Sequence, residues 1–287
     1  MIYLLLSIIA STCIFIIFKL LGKYKINTLQ AIVINYFTAC LTGVLSYNEN
    51  INISSIIHED WFYGAVGLGF LFISIFNVMA LTAQRNGVTT ASVASKMSVV
   101  IPIIFGIYAY QESLGWQKTI GIILALAAVY LTSLKTKTSS FNYKNLSLPV
   151  LLFLGSGVID TSIKFIETSY VSKNGIPIFS ATIFCIAGLI GVIILTMQAL
   201  KRKFKFDYRS IFFGFLLGIT NYYSIYMLLK ALQFEGIESA TIFTVNNVAI
   251  VMLSTIIGLI FFKEKLQTKN WIGITLAIIS IVLITLA

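Results

Sequence analysis

Along this chain, long apolar runs alternate with short polar breaks. Apolar segments fall at about 2 to 20, 29 to 47, 61 to 83, 90 to 110, 117 to 134, 148 to 167, 177 to 199, 210 to 231, 239 to 262 and 270 to 286. Each is close to the roughly 20 residues that an α-helix needs to cross about 30 Å of hydrocarbon. A backbone in lipid must satisfy its own hydrogen bonds, and none of the runs shows the alternation of barrel strands, so all are predicted to be helices. The breaks carry ordinary stop signals: Asn48-Glu49-Asn50, the stretch from Lys135 to Lys144, Asn174-Gly175 ahead of Pro177, and Lys201-Arg202-Lys203. The run from Met1 to Leu21 lacks the charged start of a cleaved signal and is read as a retained first helix. The expected fold class is an all-α integral membrane protein of ten transmembrane helices.

A repeat divides these ten. Glu112-Ser113-Leu114 is followed by Ile120-Gly121-Ile122, and Glu264-Lys265-Leu266 by Ile272-Gly273-Ile274 at the same spacing. Upstream, Arg85-Asn86-Gly87 and Phe234-Glu235-Gly236 occupy matching turns, and Lys19, ending the first segment, matches Lys164, ending the sixth. Residues 1–140 and 141–287 are therefore expected to be two five-helix repeats. Five is odd, so halves joined head to tail insert in opposite orientations, as an inverted repeat whose solute site lies between them.

These residues resemble the drug/metabolite transporter superfamily, in its ten-helix EamA-type members. The resemblance spans essentially the whole chain. It rests on the duplicated ending, in which a glycine turn precedes a helix, an acidic residue closes that helix and a glycine-containing helix follows. Pro102 in the fourth helix fits the pattern, whereas the second copy has Val251 or a neighbour where a proline is expected. The resemblance implies a carrier of amino acids, purines, other metabolites, nucleotide-linked sugars or toxic cations, and it implies no cofactor.

Composition agrees with a membrane chain. Of 287 residues, 58% are hydrophobic and 10% charged, against about 25% charged in soluble domains. The formal charge of +10 raises nucleic acid binding as a possibility. That reading is rejected because the basic residues sit in short loops and form no continuous face interleaved with stacking aromatics. Loops after odd-numbered segments carry more Lys and Arg than loops after even ones, which predicts cytoplasmic odd loops and both termini outside. Lysine dominates among the basic residues, and the expected location is a bacterial cytoplasmic membrane. Cys13, Cys40 and Cys185 stand singly in apolar segments and read as packing residues.

Ionisable groups at membrane depth cost on the order of 3 kcal/mol or more, so those retained invite a role. Lys96 in the fourth segment and Asp160 in the sixth are the two that lie well inside. They are expected either to contact a charged group of the solute, with Asp160 also able to take up a coupling proton, or to serve as a structural pair or a snorkelling lysine. Asn246 and Asn247 sit in the ninth segment where Ser95 to Ser98 sit in the fourth. Asn221 and Tyr222 in the eighth, Asn35 in the second and Asn77 in the third add polar groups that can bind a solute or hold helices together. Glu112 and Glu264 fall at helix C-termini, where the macrodipole disfavours an anion, and each is expected to clamp the N-terminus of the following helix. Lys19 and Lys164 read as interface anchors, or as phosphate contacts if the solute is a phosphorylated one.

Rival functions are weighed on the same residues. The one histidine, His58, lies in an acidic loop, so a His-metal or Ser-His site is not expected, and Asp160 has no carboxylate partner for an aspartyl dyad. An intramembrane enzyme and a non-transporting scaffold or receptor remain the alternatives to a secondary carrier. The partners expected are a small solute, the lipid bilayer and a coupling proton, for a monomer or homodimer that exports its solute by alternating access.

Overall fold

In a computed structural model, residues 2–46, 56–110, 115–134, 143–171, 175–201, 205–232 and 239–285 are described. Eleven helices run through them: α1 Ile2–Lys23, α2 Thr28–Leu45, α3 Phe62–Arg85, α4 Val88–Met97, α5 Val100–Tyr110, α6 Trp116–Ser133, α7 Tyr143–Tyr170, α8 Ile176–Leu200, α9 Arg209–Leu232, α10 Ser239–Ile260 and α11 Thr268–Thr285. Eight stretches are long and apolar enough to cross a membrane, and Val245–Ile260 and Thr268–Ile284 are shorter apolar helices. One of the eight, Val88–Phe105, joins α4 to α5, so ten spans account for all eleven helices.

The fourth span, drawn from the sequence as one apolar segment carrying Pro102, is interrupted. It turns at Ser98 and Val99. Pro102 has no N–H to give to the Ser98 carbonyl four residues back, and its ring crowds that carbonyl. The Ile101 N–H takes the Ser98 carbonyl instead at 2.9 Å, while the Ser98 hydroxyl donates back to the Ser95 carbonyl at 2.6 Å. Helix α10, which the expected repeat would match to this span, has no proline and runs unbroken from Ser239 to Ile260.

The chain divides into two compact units, and both draw on both halves of the sequence. The first comprises Met1–Leu20, Val78–Val158 and Tyr223–Ala287, and the second Leu21–Asn77 and Ile159–Tyr222. In the first unit α6 packs along α11, α4 against α10, and α4 and α10 each against α6 and α11 respectively. Small residues let the backbones meet, because helices in lipid associate by packing and hydrogen bonds rather than by the hydrophobic effect. Gly121 of α6 lies against Ile284 of α11, and Gly273 of α11 against Leu131 and Thr132 of α6. The Ser280 hydroxyl donates to the Gly121 carbonyl at 2.7 Å.

In the second unit α2 lies between α8 and α9. A Cβ at Gly214 or Gly218 of α9 would sit 2.7 Å from the carbonyl oxygens of Ala31 and Asn35 on α2, so backbone touches backbone there. Trp61, Ala65 and Leu68 of the α3 region pack on Phe179 and Ile183 of α8. Asn27 caps α2 by accepting the Gln30 N–H at 3.1 Å. Gln30 ties that turn to the start of α9, donating to the Lys205 carbonyl at 2.7 Å and accepting the Asp207 N–H at 2.9 Å. Arg209 closes the corner with a two-pronged bond to Asp207, Nε to Oδ1 at 2.9 Å and Nη2 to Oδ2 at 3.0 Å. That guanidinium holds the Asp207 carboxyl below the usual carboxylate range.

Candidate functional site

The first unit holds Lys96. It sits in the last turn of α4, half-buried, immediately before the turn at Ser98 and Val99. A cation is electrostatically favoured at a helix C-terminus, where carbonyls lack intrahelical partners. An interrupted helix at membrane depth frees backbone polar groups, which is tolerated where they meet protein or a water-filled cavity. On α10, Asn246 is buried, and its Oδ1 accepts the Ser7 hydroxyl of α1 at 3.3 Å; that hydroxyl also lies 2.8 Å from the Ser224 carbonyl of α9. Asn247, the next residue, is half-buried. Below them the Ser254 hydroxyl meets the Ser92 hydroxyl at 2.6 Å, joining α10 to α4.

The second unit brings Asn35 and Asn221 together. Both are buried, and the Asn221 amide nitrogen lies 3.4 Å from the Asn35 side-chain oxygen position. With its amide turned to satisfy both ends, Asn35 donates to the Leu217 carbonyl at 3.3 Å and accepts the Tyr36 N–H at 3.2 Å. Tyr222 follows Asn221, and its ring lies against Gly43 of α2. Asn77 donates to the Ile73 carbonyl of its own helix at 2.7 Å. Asp160 and Lys164 are exposed and four residues apart on α7, hence on one helical face. Lys96 and Asp160 thus belong to different units.

Glu264 departs from its expected partner. The following helix, α11, does not receive it; its carboxylate reaches the N-terminus of α4 in the other half of the sequence. Oε1 accepts the Val88 N–H at 2.7 Å, and Oε2 lies 3.1 Å from the Thr89 hydroxyl and 3.4 Å from the Thr89 N–H. Lys19, expected to be an interface anchor, stands 3.5 Å from Oε1. The reversal has a local cause. Lys263 adopts φ 51°, which lets the Glu264 N–H return to the Gly258 carbonyl at 2.9 Å. Gly87, at φ 109°, and Gly258 then wall the carboxylate so closely that a Cβ on either would lie within 2.8 Å of its oxygens. Glu112 lies outside the described residues.

Several working residues were not anticipated. Thr89 and the Val88 N–H complete the Glu264 clamp, and Gln84 donates to the Phe18 carbonyl at 3.2 Å beside Lys19. Asn270 on α11 donates to the Leu131 carbonyl at 3.0 Å and the Leu134 carbonyl at 2.9 Å, and so caps α6. A polar residue in the first turn of the last helix was the available signal. Among the described residues, no group of three or more His, Cys, Asp or Glu could hold a metal ion.

Comparison with known proteins places this geometry in a family. A protein of Haemophilus influenzae, itself uncharacterised, is 27% identical over 97% of this chain and 95% of its own length. Two proteins named for sugar uptake, from Listeria innocua and Listeria monocytogenes, are each 26% identical over 75% of this chain and 78% of their own length. A crystal structure covering 98% of this chain and 97% of its own superimposes with a TM-score of 0.55 at 14% identity, a likeness of fold. Residues 147–286 match the EamA-like transporter family. With its ten apolar spans, the chain is a multi-pass membrane protein whose second half matches the EamA-like transporter family of the drug/metabolite transporter superfamily.

Proposed function

We propose that this chain is a secondary transporter that moves a small polar metabolite, such as an amino acid or related compound, across a bacterial cytoplasmic membrane by alternating access, in the export direction. The interrupted fourth span, with Lys96 just ahead of its break, carries the reading. Transporters place solute sites at discontinuous helices, where unpaired backbone groups and a nearby side chain can replace the hydration of a polar solute. The pairing of α2 with α8, α4 with α10 and α6 with α11 supports a duplicated design, since each partner is the other's counterpart if residues 1–140 and 141–287 are repeats. In this proposal Lys96, Asp160, Asn35, Asn77, Asn221, Tyr222, Asn246 and Asn247 serve the solute route. Asp160 is the candidate carrier of a coupling proton. The protein works as a monomer or homodimer without a cofactor and performs no covalent chemistry.

Uptake of a sugar is the second reading, and it is favoured by the names of the Listeria relatives. Both readings meet in one experiment. Purified protein in proteoliposomes is offered mixed amino acids, nucleobases, organic cations and sugars, and exchange is read by mass spectrometry with and without a pH gradient. Saturable exchange selective for amino acids or related compounds supports the first reading, and selective sugar exchange the second. Exchange no faster than in empty liposomes for every class overturns both for these solutes.

A further inference from the structure

Cys40 and Cys185 were expected to be isolated packing residues, and the second unit brings them together. Cys40 is on α2 and Cys185 on α8, and both are free thiols partly open to their surroundings. The helix register places them together. Gly43 lies against Ala181, where a Cβ on the glycine would stand 3.3 Å from the alanine Cβ; Phe37 lies against Gly188 at 3.1 Å by the same measure, and Val33 against Gly191. As the α2 number falls, the α8 number rises in near step, so the helices run antiparallel at close range. Cys40 falls opposite Cys185 between two of those contacts. A disulfide needs Cβ atoms about 3.5–4.5 Å apart, and the Gly43–Ala181 contact nearby brings the two helices that close.

We propose that Cys40 and Cys185 form an oxidisable thiol pair, closed to an interhelical disulfide by small uncharged two-electron oxidants of the hypohalous acid class. With hypochlorous acid, one thiol exchanges its hydrogen for chlorine and water leaves. The second sulfur then displaces chloride, loses its proton and forms the S–S bond. The two sulfurs together give up two electrons, which leave on chloride. The bond staples α2 to α8, two elements 145 positions apart in sequence. A small reductant such as dithiothreitol reopens it.

The test uses the full-length protein in lipid nanodiscs, treated with graded hypochlorous acid and, in parallel, with the chlorine-free oxidant diamide. The protein is then denatured, and its remaining thiols are tagged with a polyethylene glycol maleimide that adds one gel increment per thiol. Wild type carries three cysteines and should fall from three increments to one, returning to three after dithiothreitol. Cys13→Ser should fall from two to none, while Cys40→Ser and Cys185→Ser should keep two under diamide, where closure of a disulfide needs the partner thiol. Three increments retained in oxidised wild type, protection absent from Cys13→Ser, or a disulfide found only in a cross-linked dimer on a non-reducing gel would each overturn the proposal.

Discussion

The carboxylate of Glu264 holds the backbone N–H of Val88 at 2.7 Å across 176 positions of sequence. The N-terminus of α4 presents N–H groups that have no intrahelical acceptor, and Glu264 supplies a full negative charge at that positive end of the helix dipole. Lys19 of α1 adds an opposite charge 3.5 Å from the same oxygen. Three helices are thereby pinned by one side chain that is 11% exposed.

Replacing Glu264 should therefore cost more than replacing a surface carboxylate. Glu264→Ala leaves the Val88 N–H, the Thr89 hydroxyl and Lys19 without this acceptor. A lost hydrogen bond to a charged group costs about 1.5–3 kcal/mol. Glu264→Gln keeps an oxygen for Val88 and gives up the ion pair, and its loss should be about half as large. The check is the unfolding midpoint in detergent, read by fluorescence-detected size exclusion. Equal stability of Glu264→Ala and wild type would show that the clamp bears no load.

Gly87→Ala should weaken the same corner by a different route. The residue stands at φ 109°, a conformation that side chains rarely adopt, and a Cβ would meet Glu264 Oε1 at 2.8 Å. Strain of this kind costs on the order of 1–3 kcal/mol before the displaced carboxylate is counted. Gly115→Ala is the matched control, since a Cβ there meets nothing within 4 Å and φ is −70°. The two variants should differ in thermal midpoint, with Gly115→Ala near wild type.

Tyr36 offers a test in the opposite direction. Its ring is fully buried, stacked near Phe184 with centroids 6.1 Å apart and tilted against Phe76 at 5.5 Å. Its hydroxyl has no hydrogen-bond partner among the described residues. Burying an unsatisfied hydroxyl costs about 1–3 kcal/mol, so Tyr36→Phe should be neutral or stabilising in the same unfolding assay. A destabilised variant would show that the hydroxyl is satisfied in the membrane.

Lys96→Ala and Asp160→Asn should each lower transport at least tenfold while membrane insertion and the size-exclusion profile stay as in wild type. Proteoliposome exchange at matched protein density provides the measurement. Unimpaired exchange by both variants would transfer the solute role to the amides and Tyr222.

How far these features could be read in the sequence depends on the range of the force that makes them. The ten spans were legible because each is a local decision between lipid and water, written in consecutive residues. Pro102 marked a disturbance in the fourth span. The break itself falls at Ser98 and Val99, because the proline removes a bond four residues earlier. Glu264 was recognised as a clamp by its place at a helix end, but the helix it clamps follows from packing and appears in no local pattern. The same holds for Asn35 with Asn221 and for Cys40 with Cys185. Each pair requires the register of two helices to be known, and a Gly43 or Gly188 signals closeness without naming the partner.

Acid should loosen the corner at the start of α9 at a pH that the geometry dictates. Arg209 and the N–H groups of Arg209 and Asn27 all bind the charged form of Asp207, so its carboxyl titrates lower in the folded protein than in the unfolded chain. A group with a depressed folded pKa contributes stability that is complete above its unfolded pKa, near 4, and lost as pH falls through the folded value. Asp207→Asn removes that contribution at neutral pH and should lower the unfolding midpoint modestly, since the corner is solvent-screened. Below about pH 4 the unfolded chain takes up this proton first, so the midpoints of wild type and variant should draw together as pH falls toward the folded value. Measuring both midpoints from pH 7 to pH 3 decides the matter, and a gap that stayed constant or widened in acid would place the stabilisation in something other than the charged carboxylate.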